Sequence, residues 1–254
     1  MRVTIIQPDL RWEDKIFNLS VLNDMITPLF NKTDIVIMPE MFSTGFTMNI
    51  SLSEEPGGAT FQWMCDLAAI GNFGICGSYQ IKENGDYFNR FVFVDPEGDN
   101  YYYYDKRHLF SMGEEHEFYS KGKSRIVFNF RDFRLSPFIC YDLRFPVWSR
   151  NRNNYDLAIY VASWPAAREK AWNMLLPSRA IENQCYVAGS NRVGIDGNNI
   201  NHNGMSQIIN PKGEILACAY DKEGIISADL SIQDLKDYRK TFNVLNDADD
   251  FEIR

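Results

Sequence analysis

The stretch Arg134-Leu-Ser-Pro-Phe-Ile-Cys-Tyr-Asp-Leu-Arg-Phe-Pro146 carries an apolar run into a single thiol, Cys140, and then turns polar. Residues 135–139 read as a short buried strand, and Asp142 stands where it can cap a helix over residues 144–150. A thiol at such a junction faces backbone N–H groups. Those donors can hold an oxyanion, and a helix N-terminus favours thiolate over thiol. The competing reading makes Cys140 one more small core residue. Partners elsewhere in the chain decide between the two.

Upstream, residues 3–7 form a strand pattern, followed by a helical pattern over residues 12–30 with Ile16, Leu19, Leu22 and Ile26 at three- and four-residue spacing. Residues 35–38 are uniformly apolar, as a strand covered on both faces requires, and Pro39 ends it with Glu40 at its edge. A helix over residues 61–69 leads to a strand at 74–79. Residues 87–94 and 100–104 then read as a hairpin joined by Pro96-Glu-Gly98. Downstream the same alternation returns. Strands are expected at 125–130, 133–139, 157–162, 186–190, 205–209, 214–219 and 224–229, with helices at 170–184 and 232–239. Two similar halves of this kind predict a layered α/β fold, with sheet packed on sheet and helices outside.

The 254 residues are 45% apolar and no linker interrupts them, which predicts one domain over residues 1–240 and an acidic, aperiodic tail over 241–254. That tail is expected to be loose or to dock on a partner subunit. The net charge of −8 argues against nucleic-acid or anionic-membrane partners and leaves small molecules. No apolar run approaches the roughly 20 residues of a membrane span, and no signal-peptide pattern opens the chain. Five widely spaced cysteines form neither a disulfide framework nor a zinc ribbon, so a reducing cytoplasm is the expected compartment.

Glu40 precedes Met41-Phe42-Ser43-Thr44-Gly45-Phe46, a loop suited to lining a pocket. Apolar walls raise a carboxylate's pKa, enabling it to take and return a proton near neutrality; the alternative is a solvated strand-end glutamate. Lys106 lies in Tyr104-Asp-Lys106-Arg-His-Leu-Phe110, just past a strand. Its ammonium would depress a neighbouring thiol's pKa and hold an oxyanion, unless the segment is only a charged turn. Glu114-Glu-His-Glu117 offers further carboxylates. A metal held by His108, His116 and these glutamates is set aside because the H-E-x-x-H arrangement is absent. Arg144 and Arg168 are the cations nearest in sequence, and a guanidinium fork suits a substrate carboxylate, Arg144 first. Phe42, Phe110 and Trp164 are expected to wall the pocket, or else to be ordinary core aromatics.

Taken together, Pro39-Glu40-Met-Phe, Tyr104-Asp-Lys106-Arg-His-Leu-Phe and Ile139-Cys140-Tyr-Asp-Leu-Arg-Phe-Pro146 resemble the motifs of the nitrilase superfamily of carbon–nitrogen hydrolases. The likeness extends from Ile5-Gln-Pro8 through Ala180-Ile-Glu-Asn-Gln184 and Asn191-Arg-Val-Gly194 to Asn210-Pro-Lys-Gly213. It implies a single-domain, four-layer αββα sandwich, paired across a subunit interface as a homodimer or higher homo-oligomer. It also implies Glu40 as general base, Lys106 as oxyanion stabiliser and Cys140 as nucleophile. Glu115 matches the additional glutamate of the family, although adjacent Glu114 leaves that assignment open. Within the superfamily, Pro39-Glu-Met-Phe-Ser-Thr-Gly-Phe46, Lys106-Arg-His-Leu-Phe110 and Ser163-Trp-Pro-Ala-Ala-Arg168 most resemble the omega-amidases, which cleave the terminal amide of 2-oxo dicarboxylic acid monoamides such as 2-oxoglutaramate and 2-oxosuccinamate.

The expected course is attack by Cys140, with the Tyr141 backbone N–H assisting Lys106 at the oxyanion. A thioester follows, then hydrolysis, with no metal and no organic cofactor. The alternatives are another superfamily activity on nitriles, N-carbamoyl amines or other amides, a papain-like Cys–His hydrolase using His108, His116 or His202, and a non-catalytic small-molecule-binding protein on this fold.

Overall fold

In the structure, a computed structural model that describes residues 1–97 and 101–252, two β-sheets pack face to face. The first contains β1 (Arg2–Gln7), β2 (Ile35–Ile37), β3 (Gly74–Glu83), β4 (Asp86–Val94), β5 (Tyr101–Asp105) and β13 (Gly224–Asp229), in the order β13-β1-β2-β3-β4-β5. The second contains β6 (Phe128–Phe130), β7 (Phe133–Ile139), β8 (Leu157–Val161), β9 (Tyr186–Ser190), β10 (Val193–Ile195) and β11 (Asn201–Ile209), in the order β10-β11-β9-β8-β7-β6, with β12 (Ile215–Tyr220) also on β11. The centre of each sheet is parallel: β1-β2-β3 in one and β7-β8-β9 in the other.

Period-two side-chain alternation divides each central strand between two cores. Val3, Ile5, Ile35 and Ile37 face the second sheet and pack in one cluster with Leu135, Ile159 and Val187. Ile6, Val36 and Ile75 point the other way. They meet Leu22 and Ile26 of α1 (Lys15–Ile26) and Met64, Leu67 and Ala68 of α2 (Ala59–Gly71). On the far face of the second sheet, Trp172, Leu176 and Ala180 of α5 (Glu169–Asn183) complete the fourth layer. That helix approaches closely at Gly189, where a Cβ would stand 2.5 Å from Leu176 Cδ1, so a larger residue there would require Leu176 to shift. The αββα sandwich is therefore built from strands that are apolar on both faces.

Several local expectations are corrected. The first helix is shorter than residues 12–30: the Asp14 carboxylate accepts from Phe17 N at 3.1 Å, and Pro28 permits only one 3-10 turn, Thr27–Leu29, after Ile26. Its buried stripe is Asn18, Leu22 and Ile26, leaving Ile16 86% exposed. No helix spans residues 144–150. Cys140–Arg144 is a 3-10 turn, followed by the four-residue α4 (Pro146–Ser149), which has no side-chain cap. β10 was not anticipated, and β11 begins four residues before the expected 205.

β4 and β5 pair antiparallel as expected, but Gly98, within the expected turn, and Asn100, the expected start of the second strand, lie outside the described residues. The last helix, α6, is Ile232–Thr241. Beyond it Leu245 is buried, and Arg152 donates to the Phe251 carbonyl with its guanidinium 4.7 Å from that ring. The expected tail beyond 252 lies outside the described residues.

Candidate active site

Four strand ends meet at one mouth of the sandwich. β2 delivers Glu40, β5 delivers Lys106, β7 delivers Cys140 and β8 delivers Ser163. At two of these ends the backbone turns through the left-handed region, with φ of +46° at Met41 and +44° at Cys140. Non-glycine residues adopt that conformation at a cost of about 1–3 kcal/mol, so the surrounding bonds must hold it. Asp142 supplies some of them. Its fully buried carboxylate accepts from Ile139 N at 3.0 Å, Tyr104 Oη at 2.7 Å and His108 N at 3.0 Å. It braces the turn internally, tying residues on either side of Cys140 to the loop after Lys106.

Lys106 and Glu40 are buried beside each other, Nζ to Oε1 2.8 Å. α3 (Glu115–Phe118) adds Glu115, whose Oε2 and Oε1 lie 2.8 and 3.0 Å from the same Nζ. Glu114 is exposed and has φ of +59°, pointing its neighbour inward. Phe110 N donates to Glu115 Oε2 at 2.6 Å and Ser163 N to Glu40 Oε2 at 2.9 Å. Asn89 Nδ2 donates to Glu40 Oε1 at 2.8 Å and to Glu115 Oε1 at 3.1 Å. Sequence reasoning missed Asn89. Its signal was a polar residue in β4 sharing the inward register of Phe91 and Phe93.

Burial alone would favour a neutral amine, but Glu115 and then Glu40 outweigh it and hold Lys106 above its ordinary range, as an ammonium. Burial raises Glu115, with Lys106 opposing. The Cys140 thiol departs from the expected depression. Burial and the Glu40 carboxylate push it well above its ordinary range, and Lys106 offsets them only in part. The resting thiol is therefore held in its neutral form beside the Glu40 carboxylate.

Above this cluster opens a cavity of about 590 Å³. Cys140 lines it and is half-buried. Phe46 closes one side, 5.1 Å from Lys106 Nζ. Phe110, Tyr141, Trp164, Arg144 and Arg168 also line it. The Arg144 guanidinium lies 4.9 Å from the Trp164 ring and that of Arg168 lies 5.2 Å from the Phe110 ring. Among the described residues neither guanidinium has a carboxylate within ion-pair distance.

Phe42 does not line the cavity. The left-handed turn at Met41 sends it into the helix-side core, 5.9 Å from the rings of Trp63 and Tyr79, and over Gly77, where a Cβ would stand 2.7 Å from Phe42 Cδ1. Trp12 and Ile200 line it without having been expected there, and so does His202, weighed only as the base of a Cys–His hydrolase. The imidazoles are engaged elsewhere: His108 Nδ1 bonds Asp142 at 2.7 Å and His202 Nε2 lies 3.3 Å from Ser163 Oγ. Among the described residues no group of three or more His, Cys, Asp or Glu side chains is arranged to hold a metal.

This mouth, with its buried carboxylates, ammonium and thiol, belongs to a C–N bond hydrolase. The carbon-nitrogen hydrolase pattern matches residues 2–240, and the chain is a member of that family. It is 44% identical over 254 residues to omega-amidase YafV of Escherichia coli strain K12, covering 100% of this chain and 98% of that protein. It is 32% identical over 250 residues to the 2-oxoglutaramate amidase of Bacillus subtilis strain 168, covering 96% of each. A CN-hydrolase superfamily protein of Xanthomonas campestris, whose crystal structure carries an arsenic adduct in the active site, superposes with a TM-score of 0.98 at 37% identity, over 100% of this chain and 99% of the other.

Proposed function

We propose that the chain is an omega-amidase, hydrolysing the terminal amide of short 2-oxo dicarboxylic acid monoamides such as 2-oxoglutaramate to the dicarboxylic acid and ammonia through a thioester on Cys140. The observation that carries the chemistry is that one cavity is lined by Cys140 together with a buried Glu40 whose Oε1 lies 2.8 Å from the Lys106 ammonium. The names of the relatives and the two unpaired arginines support the substrate class.

A thiol held neutral in this field is not released as a free thiolate before substrate arrives. Its proton passes to Glu40 as sulfur bonds to the amide carbon. The carbonyl π pair moves onto oxygen, and the Lys106 ammonium and Tyr141 backbone N–H stabilise that charge. Collapse of the adduct breaks the C–N bond, and the Glu40 proton leaves with the amine as ammonia. Water then attacks the thioester as Glu40 takes its proton. The second adduct expels sulfur, the proton returns to it, and the acid departs. Glu115 keeps Lys106 charged and oriented throughout. Arg144, over the Trp164 ring, receives the carboxylate at the far end of the substrate, with Arg168, over the Phe110 ring, as the second cation of the cavity.

For the assembly and compartment, our reading is a cytoplasmic homodimer. The exposed apolar Met174 and Ile181 of α5 and Ile215 and Leu216 of β12 support a subunit contact, and five unpaired cysteines suit a reducing compartment. No helix among the described residues is long and apolar enough to cross a membrane.

The deciding experiment is ammonia release from 2-oxoglutaramate, glutamine, a simple nitrile and an N-carbamoyl amine, with Cys140→Ala as the blank. Cys140-dependent release that is fastest from the 2-oxo acid is expected. Release from the nitrile or carbamoyl amine alone would replace the substrate assignment while leaving the hydrolase chemistry in place.

A further inference from the structure

Glu40 and Glu115 are both buried and both within 3.0 Å of the Lys106 ammonium, yet only one is suited to receive the proton of Cys140. A carboxylate has two oxygens and about four lone-pair directions. On Glu115 all four are filled: Oε1 accepts from Lys106 at 3.0 Å and Asn89 at 3.1 Å, and Oε2 from Lys106 at 2.8 Å and Phe110 N at 2.6 Å. On Glu40, Oε1 is likewise filled, by Lys106 at 2.8 Å and Asn89 at 2.8 Å. Oε2 accepts from Ser163 N at 2.9 Å and keeps one direction open.

We propose that Asn89 is a positioning residue that saturates Oε1 of both glutamates with the two N–H bonds of its amide and so directs the Cys140 proton onto Oε2 of Glu40. This rests on reading Cys140 as the nucleophile and Glu40 as its base. Asn89 is 0% exposed, and its own backbone carbonyl accepts from Lys106 N at 3.0 Å, so it touches every charged member of the cluster. The amide must present nitrogen to the carboxylates, because an oxygen there would face two other acceptors. Its Oδ1 is buried without a hydrogen-bond partner, a deficit that the two charge-assisted bonds from Nδ2 offset.

The groups facing Glu40 set the sign of the expected change. They are Lys106 after β5, Glu115 of α3 with Tyr119 beyond it, Cys140 after β7 and the Ser163 amide after β8. Removing the amide opens one lone pair on each glutamate. A proton then settles on an unproductive oxygen, and the cluster holds it to higher pH.

Two variants of nearly the same shape test this: Asn89→Leu, without a donor, and Asn89→Asp, with an acceptor in its place. The readouts are the pH profile of kcat/KM and, independent of any substrate, the pH profile of Cys140 alkylation by iodoacetamide. Both acid limbs are expected to move up by about one to two pH units in Asn89→Leu, and further in Asn89→Asp. In Asn89→Leu, kcat at neutral pH should fall about 10–100-fold while KM changes by less than about threefold. Asn89→Ser, smaller and able to donate one bond, should recover part of the shift and serves if the larger replacements do not fold. Unmoved profiles with a reactive Cys140 would overturn the inference alone. A Cys140 inert to iodoacetamide in the unaltered chain would overturn the nucleophile reading and the inference with it.

Discussion

His108 Nδ1 donates to Asp142 Oδ1 at 2.7 Å, joining the loop that follows Lys106 to the turn that follows Cys140. The imidazole also lies flat on Phe145, ring centroids 3.8 Å apart, so the join is packed as well as hydrogen-bonded. The loop after Lys106 and the turn after Cys140 are thus tied together by one buried acid, Asp142.

Asp142→Ala strands the buried donors Ile139 N and Tyr104 Oη. The expected cost is about 3 kcal/mol or more, which for a chain of this size is a Tm drop of roughly 6–12 °C. Amidase activity should fall even at temperatures where the variant is folded. Asp142→Asn keeps the shape but meets N–H donors with an amide nitrogen, so it should lie between the two. A thermal scan returning the unaltered Tm for Asp142→Ala would remove the brace from the account.

Cys140 holds φ of +44° without being glycine. Cys140→Ala should abolish turnover and leave the Tm within a few degrees, since the sulfur borders a cavity rather than filling the core. Cys140→Gly should be equally inactive but relieve the left-handed strain, standing about 1 kcal/mol above Cys140→Ala in chemical denaturation. Equal midpoints and slopes for both would mean that the turn is not strained.

How much of this was legible in sequence follows from where each residue's partners lie. Ile35 to Ile37 announced themselves because a strand covered on both faces is apolar throughout. Glu40, Lys106 and Cys140 stood out because their three motifs, each at or just past the end of a strand, together resemble those of one family, and the structure brings all three to one cavity. Phe42 misled because the decisive feature, positive φ at Met41, leaves no mark on a methionine. Asp142 was read as a helix cap because its true partners, Tyr104 and His108, are 38 and 34 residues away. The hairpin of β10 and β11 was missed because the Asn-rich residues 196–203 carry no apolar period. Asn89 shows only as a break in a core register, a signal shared by any buried amide.

Arg144, exposed, and Arg168, half-buried, line the cavity over aromatic rings with no carboxylate partner among the described residues, so both guanidinium forks are free to take a substrate carboxylate. Arg144→Gln should raise KM for 2-oxoglutaramate about 10–100-fold with a smaller change in kcat, and Arg168→Gln should do less. A short aliphatic amide lacking the far carboxylate should respond to neither change. Equal loss on both substrates would place these arginines in support of the cavity wall instead of in recognition.

His202 gives the fold an acid limit. It is buried, with Nδ1 3.1 Å from the Ile200 carbonyl oxygen and Nε2 3.3 Å from Ser163 Oγ, an arrangement that suits a neutral ring donating through Nδ1 and accepting through Nε2. Burial, then the nearby Arg192 guanidinium, push its pKa down to about 4, with Asp196 opposing only in part. In the unfolded chain an imidazole titrates near 6.5. As pH falls through about 6.5 the unfolded state takes up a proton that the folded state refuses, so stability present above that pH is lost progressively down to about 4 and no further below it. The loss from this one residue is about 3 kcal/mol at most. Thermal scans between pH 7 and pH 4 should therefore show a steeper decline for the unaltered protein than for His202→Gln, whose amide does not titrate. Parallel declines would mean that His202 is hydrated and protonated in the folded chain, contrary to its packing against Ser163.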